Sequence, residues 1–394
     1  MANTMNDTAR NAPQAMSPSE APMHWFSTDA FLTTLAQVHF PGRQFRAGTY
    51  ASHGRHFRLL AVEGRDVIAE WPFLDFVTPL EREAGTVDGF VNHVPHVALE
   101  TVEIADKPSL APGTEPAPFI LWDRFADWAA FERHFVARRS SLLRDSKAKR
   151  RRLEKDLGPL RFSWEDPRPE VFSACVAWKS AQYVRTGLLD VLEPTANVAL
   201  FRALHAKGAL AVSSLSAGST LLAVHFGALS ARGVYSWIAA YDPSFGRHSP
   251  GRLLLEDMLR ESQARGHMEW DFGIGDMDYK WHYSTHSRIV GPLGRPPFMR
   301  AMGKLASTGL KRALCNSPAL LDRARRFRRR IQTRLSPFLV LAERFRGKHD
   351  RFSGPLRFAR KALSHGERAP LPPDPPPKAL RDERDARQKG AGCA

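Results

Sequence analysis

The stretch Ser249–Tyr283, SPGRLLLEDMLRESQARGHMEWDFGIGDMDYKWHY, decides how the chain is read. Ser249 is a good helix cap, Pro250 suits the first helical position, and Gly251 lets another group approach the backbone. Leu254, Leu255, Met258, Leu259 and Ser262 recur at helical spacing and form an inward stripe, and Gly266 ends the helix. The run MEWDFGIG (268–275) reads as a strand, with Glu269 and Asp271 on one face and Trp270 and Phe272 on the other. Gly273 and Gly275 predict that its end passes close to another backbone or a ligand. A short helical segment around 276–284 would set Tyr279 and Tyr283, four apart, on one face, with Lys280 beside Tyr279.

The helix start follows directly on the strand-like run GVYSWIAAYD (233–242), so strand, helix and strand make a βαβ crossover. Four free N–H groups and the helix dipole suit such a start to a phosphate or pyrophosphate, and Arg247, His248 and Arg252 add positive charge around it. A phenol such as Tyr279 or Tyr283 can give a proton to a leaving thiolate, and the Lys280 ammonium can stabilise negative charge during acyl transfer. Asp271 and His225 are the candidates for a general base, although a single His on a strand is more often simply packed.

The elements around this stretch have the same rhythm. A strand at 160–166 leads to helices at 169–187 and 195–208, the second closed by Gly208. Strands over 209–218, 220–231 and 233–242 follow, joined at Gly218-Ser219 and Arg232-Gly233 by hairpin-like turns. The last strand is RIVGPLG (288–294). Nearer the N-terminus, residues 25–39 read as a helix capped by Ser27 or Thr28. Strands are expected at 57–64, 66–77 and 96–105, and a helix from about Asp123 to Leu157, basic in its second half and stopped by Gly158-Pro159. The fold class is mixed α/β, of the α+β type.

A chain of 394 residues is long enough for two domains of ~150 residues plus appendages. The net charge of +16 is uneven, because residues 295–394 hold 25 Lys and Arg against 8 Asp and Glu. The remaining 294 residues are close to neutral, so a basic surface belongs to the C-terminal quarter. Basic amphipathic helices there, Leu320 to Leu335 included, would dock on the domain or contact a membrane or anionic polymer. The three cysteines, Cys175, Cys315 and Cys393, are odd in number and lack metal spacing; no metal site is expected, and a reducing cytoplasm fits. No signal peptide or membrane-spanning run is expected, which suggests a cytoplasmic protein, at most peripheral to the inner membrane.

With AAYDPSFGRHSPGRLLLEDML and WDFGIGDMDYKWHY in this order, the sequence resembles the GNAT N-acetyltransferase superfamily. More narrowly it resembles the CelD/BcsL-type branch, linked to cellulose and exopolysaccharide production and distantly similar to Fem-like transferases. The resemblance covers roughly 160–295. It implies an acyl-CoA co-substrate, acetyl-CoA or a longer one, and an amine or hydroxyl acceptor on a sugar, polysaccharide precursor or related metabolite. It implies that the donor arm pairs with the strand carrying Ile238, Ala239, Ala240 and Tyr241. The pyrophosphate would sit on Arg247, His248, Ser249, Gly251, Arg252 and Leu253. Tyr279 or Tyr283 would protonate the thiolate, Lys280 would bind acceptor or developing charge, and the base stays open between Asp271 and His225. The superfamily loop Arg/Gln-x-x-Gly-x-Gly/Ala is here Arg247-His248-Ser249-Pro250-Gly251-Arg252, one glycine short and shifted. Fem-type relatives use aminoacyl-tRNA, for which the basic segment 138–155 would be the contact, although no aromatic-interleaved RNA motif supports nucleic acid. A non-catalytic scaffold in an exopolysaccharide complex is the third reading.

The expected organisation is a disordered N-terminus over 1–23 and a degenerate GNAT-like half over 24–158, implied by the tandem pattern. An acetyltransferase domain over 159–298, basic helices over 299–363 and a disordered tail over 364–394 complete it.

Overall fold

The computed structural model describes residues 23–80, 86–104 and 108–295, without the side chains of 138–140. The expectations for the first 22 residues, for the basic helices over 299–363 and for the tail over 364–394 lie outside the described residues.

In chain order the elements begin with α1 (Asp29–His39), β1 (Phe45–Ser52), β2 (Arg55–Val62), β3 (Gly89–Phe90), β4 (His93–Glu103), β5 (Glu115–Leu121) and α2 (Trp128–Leu157). Next come β6 (Leu160–Ser163), α3 (Pro169–Arg185), α4 (Thr195–Ala206), β7 (Leu210–Ala217), β8 (Thr220–Ser230) and β9 (Gly233–Tyr241). The series ends with α5 (Pro250–Ala264), β10 (Glu269–Asp271), α6 (Asp278–Tyr283) and β11 (His286–Gly294). Eight strands form one sheet in the order β4-β11-β5-β10-β9-β8-β7-β6, and β2-β1-β3 form a small second sheet. The chain is thus mixed α/β, and β9-α5-β10 is the crossover read from the sequence, with β10 parallel to β9. Strands β4 and β5, from the first 158 residues, are hydrogen-bonded to β11 and β10 in the large sheet.

Two apolar cores lie on the two faces of that sheet. One gathers Phe26, Phe31, Leu32 and Leu35 with Phe172, Phe201, Phe226 and Tyr235 under α1, α3 and α4. The other gathers Phe131, Phe135 and Leu153 of α2 with Leu253, Leu254, Met258, Leu259 and Trp270. Neighbours Val234 and Tyr235 go to opposite cores, as strand alternation requires. Helix α1 is capped by Thr28, whose side chain accepts from the Phe31 N–H, and α2 by Asp127, which accepts from Ala130. Arg150 of α2 locks onto α5 with two 2.9 Å bonds to Asp257 and a 2.8 Å bond to the Leu253 carbonyl.

Two local expectations are corrected, and one strand joins those expected. The segment 66–77 is no regular strand: it makes isolated bridges only, Leu60 to Ile68, Trp71 to Leu74 and Val77 to Val97. Pro72 lacks a donor, and Phe73 has left-handed backbone (φ +68°), which breaks a pleat. Second, Glu115–Leu121 is a strand that its two prolines conceal. In an antiparallel strand the N–H and C=O of one residue face the same neighbour. The carbonyls of Pro118 and Pro116 accept from Phe272 and Gly275, so the side turned to β10 has no N–H to return at either position. Third, β10 is shorter than the strand expected over 268–275. It stops at Asp271, and residues 272–275 leave β9 while the Phe272 and Gly275 N–H groups keep them tied to β5.

Candidate functional site

That departure makes the site. β9 and β10 pair in parallel over three positions only, Gly233–Tyr235 with Glu269–Asp271. Beyond them β9 runs on to Tyr241 while the other chain turns off at Gly273, whose φ is +69°. A side chain at Gly273 would put its Cβ 2.5 Å from the Tyr235 hydroxyl, so only glycine fits the vertex of the splay. β9 also carries a bulge, since Gly227 pairs with Ser236 and Phe226 with Ile238, leaving Trp237 extra. The Asp242 N–H bonds to Leu222 on β8. By alternation Ala240 also faces β8, and the backbone groups of Ala239 and Tyr241 face the splay. From Tyr235 to Tyr241 that edge is roughly 20 Å long.

At the Tyr241 end lies the start of α5, and its geometry departs from the sequence expectation. Ser249 is left-handed (φ +52°) and its side chain does not cap the helix. Its hydroxyl instead accepts from Lys149 Nζ of α2 at 3.0 Å. Pro250 has no N–H, and the Arg252 and Leu253 N–H groups bond to the Ser249 carbonyl, so the expected four free donors are not present. Positive charge does gather there. Arg252 pairs with Asp145, which also binds Lys149 at 3.0 Å, and Arg247 Nε donates to the buried His248 at 2.9 Å. Burial and then the Arg247 charge hold His248 below its ordinary pKa. A Cβ on Gly251 would lie 3.5 Å from the Tyr241 ring, so helix start and open strand edge are adjacent.

At the vertex end lie Tyr279 and Lys280 of α6. Tyr279 is 39% exposed, and its ring stands edge-on to Phe272 at 6.3 Å. Lys280 is buried and donates to the carbonyls of Gly273 (3.0 Å) and Ile274 (2.8 Å), pinning the departing chain. Burial brings its ammonium down to about 8, against the opposing charges of Asp75, Asp271 and Glu115. Because the folded value lies below the unfolded one, the folded state binds fewer protons between pH 8 and about 10.4. The Lys280 contribution to stability is therefore complete above about pH 10.4 and lost as pH falls toward 8. Urea midpoints measured across this range should rise more with pH in the wild type than in Lys280→Met.

The other sequence candidates are placed elsewhere. Tyr283 is buried between α2 and α5; its ring stacks on Phe135 at 4.8 Å and its hydroxyl donates to Glu256 at 3.1 Å. His225 bonds Ser236 at 2.8 Å between β8 and β9, and burial drives its imidazole down to about 3. Asp271 accepts from Arg288 at 2.8 Å and from the Gly273 N–H at 2.7 Å, with His24 at 3.1 Å. Burial works against its charge, but Arg288 and His24 hold its pKa below the ordinary carboxylate value.

Sequence reading missed three residues that the fold brings here. Lys179 of α3 donates to the Ala239 carbonyl at 3.2 Å, from the splay side of β9. Asp75 accepts from the Tyr235 hydroxyl. Arg288 joins Asp271 to Glu269, the latter at 2.7 Å. An arginine inside an apolar strand was a usable signal for this pair, because a buried guanidinium needs carboxylates. Nothing local to Asp75 or Lys179 distinguishes them from surface charges. Among the described residues, no group of three or more His, Cys, Asp or Glu could hold a metal ion, and no helix is long and apolar enough to cross a membrane.

Residues 140–281 match the family described as an acetyltransferase (GNAT) domain. No curated protein matches the chain. Similar solved structures include a conserved protein of unknown function from Bacteroides thetaiotaomicron, 14% identical with a TM-score of 0.31. That likeness covers 47% of this chain, which spans 64% of the length of the Bacteroides protein. FemX is 12% identical with a TM-score of 0.41 over 69% of this chain and 92% of that one. L-PGS from Bacillus licheniformis is 10% identical with a TM-score of 0.38 over 69% and 89%.

Proposed function

We propose that the protein transfers an acyl group, acetyl in the simplest case, from a CoA thioester to an amine or hydroxyl of a saccharide or related small molecule. The observation that carries this reading is the β9 edge opened beyond Tyr235 by the early end of β10. The groups around the splay fit such a donor. Ala239 and Tyr241 offer backbone donors and acceptors to an extended, amide-bearing arm. Lys149, Arg247 and Arg252 offer positive charge to its phosphates next to Tyr241. Lys179 occupies the Ala239 carbonyl and would yield that position to the arm. The Ala239 N–H polarises the thioester carbonyl. As the acceptor's bond to the carbonyl carbon forms, the C–S bond breaks and the sulfur keeps the electron pair. Tyr279 gives that sulfur its phenolic proton and regains one from solvent, to which it is open.

The CelD/BcsL likeness supports a saccharide acceptor within exopolysaccharide chemistry. A second reading has an observation of its own: Arg144, Lys147, Arg151, Arg152 and Lys155 are exposed along α2, a basic face suited to the phosphates of an aminoacyl-tRNA donor. Thermal melting with CoA, acetyl-CoA and a charged tRNA tests both. A ligand that binds the native state raises the melting temperature. Acetyl-CoA should do so, and a shift with charged tRNA alone would favour the second reading.

A further inference from the structure

The irregular strap over 66–80 is held from both sides. Its Val77 N–H donates to His96, and the Ala98 N–H returns a bond to the Val77 carbonyl. Leu74, Phe76 and Val77 are buried. Phe73, in its left-handed conformation, sets its ring 4.9 Å from Phe201 and 6.2 Å from Trp237, the bulge residue of β9. Such strain in a non-glycine residue concentrates at functional positions. What it delivers is Asp75. The Asp75 carboxylate accepts from Tyr235, the last β9 residue paired to β10, so it stands at the vertex of the splay. Its charge acts on Tyr183 of α3 and on Lys280 of α6, and Lys179 lies over the Tyr183 ring at 5.2 Å. Burial, and then the Asp75 charge, raise the pKa of both Tyr183 and Tyr235, which keeps both phenols protonated.

We propose that Asp75, supplied by the N-terminal strap, is the general base that takes the acceptor's proton. This rests on the acyl-transfer reading above. The acceptor nitrogen or oxygen forms its bond to the carbonyl carbon and sheds its proton to Asp75. The C–S bond breaks, and the sulfur receives its proton from Tyr279. Asp75 then releases one proton to solvent, and Tyr279 regains one, so the cycle balances. The nucleophile is thereby placed between the strap and α3, on the side of the vertex away from the basic α5 start.

Asp75→Asn tests this, since the amide oxygen can still accept from Tyr235. The readout is thiol release from acetyl-CoA with glucosamine, lysine, ethanolamine or water alone as acceptor, together with calorimetric binding of acetyl-CoA. The variant should keep wild-type affinity, lose about 10²-fold or more in kcat, and lose the acidic limb of the pH–rate profile, with partial recovery in Asp75→Glu. A kcat within about threefold of wild type and an unchanged acidic limb would overturn the role of Asp75. So would a wild type that binds acetyl-CoA and releases no thiol with any acceptor. A wild type that fails to bind acetyl-CoA overturns the transfer reading itself.

Discussion

Arg288→Ala should cost about 3–5 kcal/mol of folding free energy at neutral pH, read from urea or guanidinium unfolding. The side chains of Arg288, Glu269 and Asp271 are 5%, 4% and 2% exposed. Arg288 binds both carboxylates, lies 4.0 Å over the Phe119 ring, and ties β11 to β10 across the width of β5. Its removal leaves two carboxylates buried with less compensation, Arg232 at 3.3 Å on Glu269 and His24 on Asp271. The effect depends on pH, and its sign follows from Asp271. The folded pKa of Asp271 lies below its unfolded value. Its ion pair therefore stabilises fully above about pH 4, and that contribution is lost as pH falls through the lower folded value. In Arg288→Ala burial outweighs the remaining attraction and pushes the carboxyl upward. The gap between variant and wild type should thus be widest near pH 7 and narrow toward pH 4.

Tyr279→Phe should lower kcat by about 10²- to 10⁴-fold and leave the affinity for acetyl-CoA unchanged. The hydroxyl is the only group lost, and the ring contact with Phe272 is kept. Steady-state thiol release and calorimetry on one preparation separate the two terms. A parallel fall in affinity and rate would mean that Tyr279 holds the donor and does not protonate the thiolate. Tyr283→Phe is the natural contrast, because that hydroxyl faces Glu256 between α2 and α5.

How far the sequence carried can be seen in particular residues. Helix α5 was legible because its stripe of Leu254, Leu255, Met258 and Leu259 is a local pattern, and the crossover followed from order alone. The three strands β7, β8 and β9 were legible from glycine-bearing turns and apolar runs. The splay was foreshadowed by Gly273 and Gly275, yet the strand that holds the departing chain was not. That chain is held by the carbonyls of Pro116 and Pro118, some 150 positions away, whose prolines argue locally against any strand. Helix starts obey a similar limit. Ser249 has the chemistry of a cap, but Lys149, a hundred positions earlier, takes its hydroxyl. Asp75 was out of reach for the same reason, since its strap has no periodicity and gains meaning only from Tyr235.

Acyl transfer at the splay stands or falls on whether the open edge of β9 binds the donor. Calorimetric titration of acetyl-CoA into the wild type and into Ala239→Pro tests this. Proline at 239 removes an N–H that faces the splay and leaves the β8 ladder whole. The wild type should bind with a Kd of about 1 µM to 1 mM, the span common for enzyme substrates, and Ala239→Pro should melt like the wild type yet bind far more weakly. No heat with the wild type, or equal affinity in both proteins, would contradict a donor site on this strand.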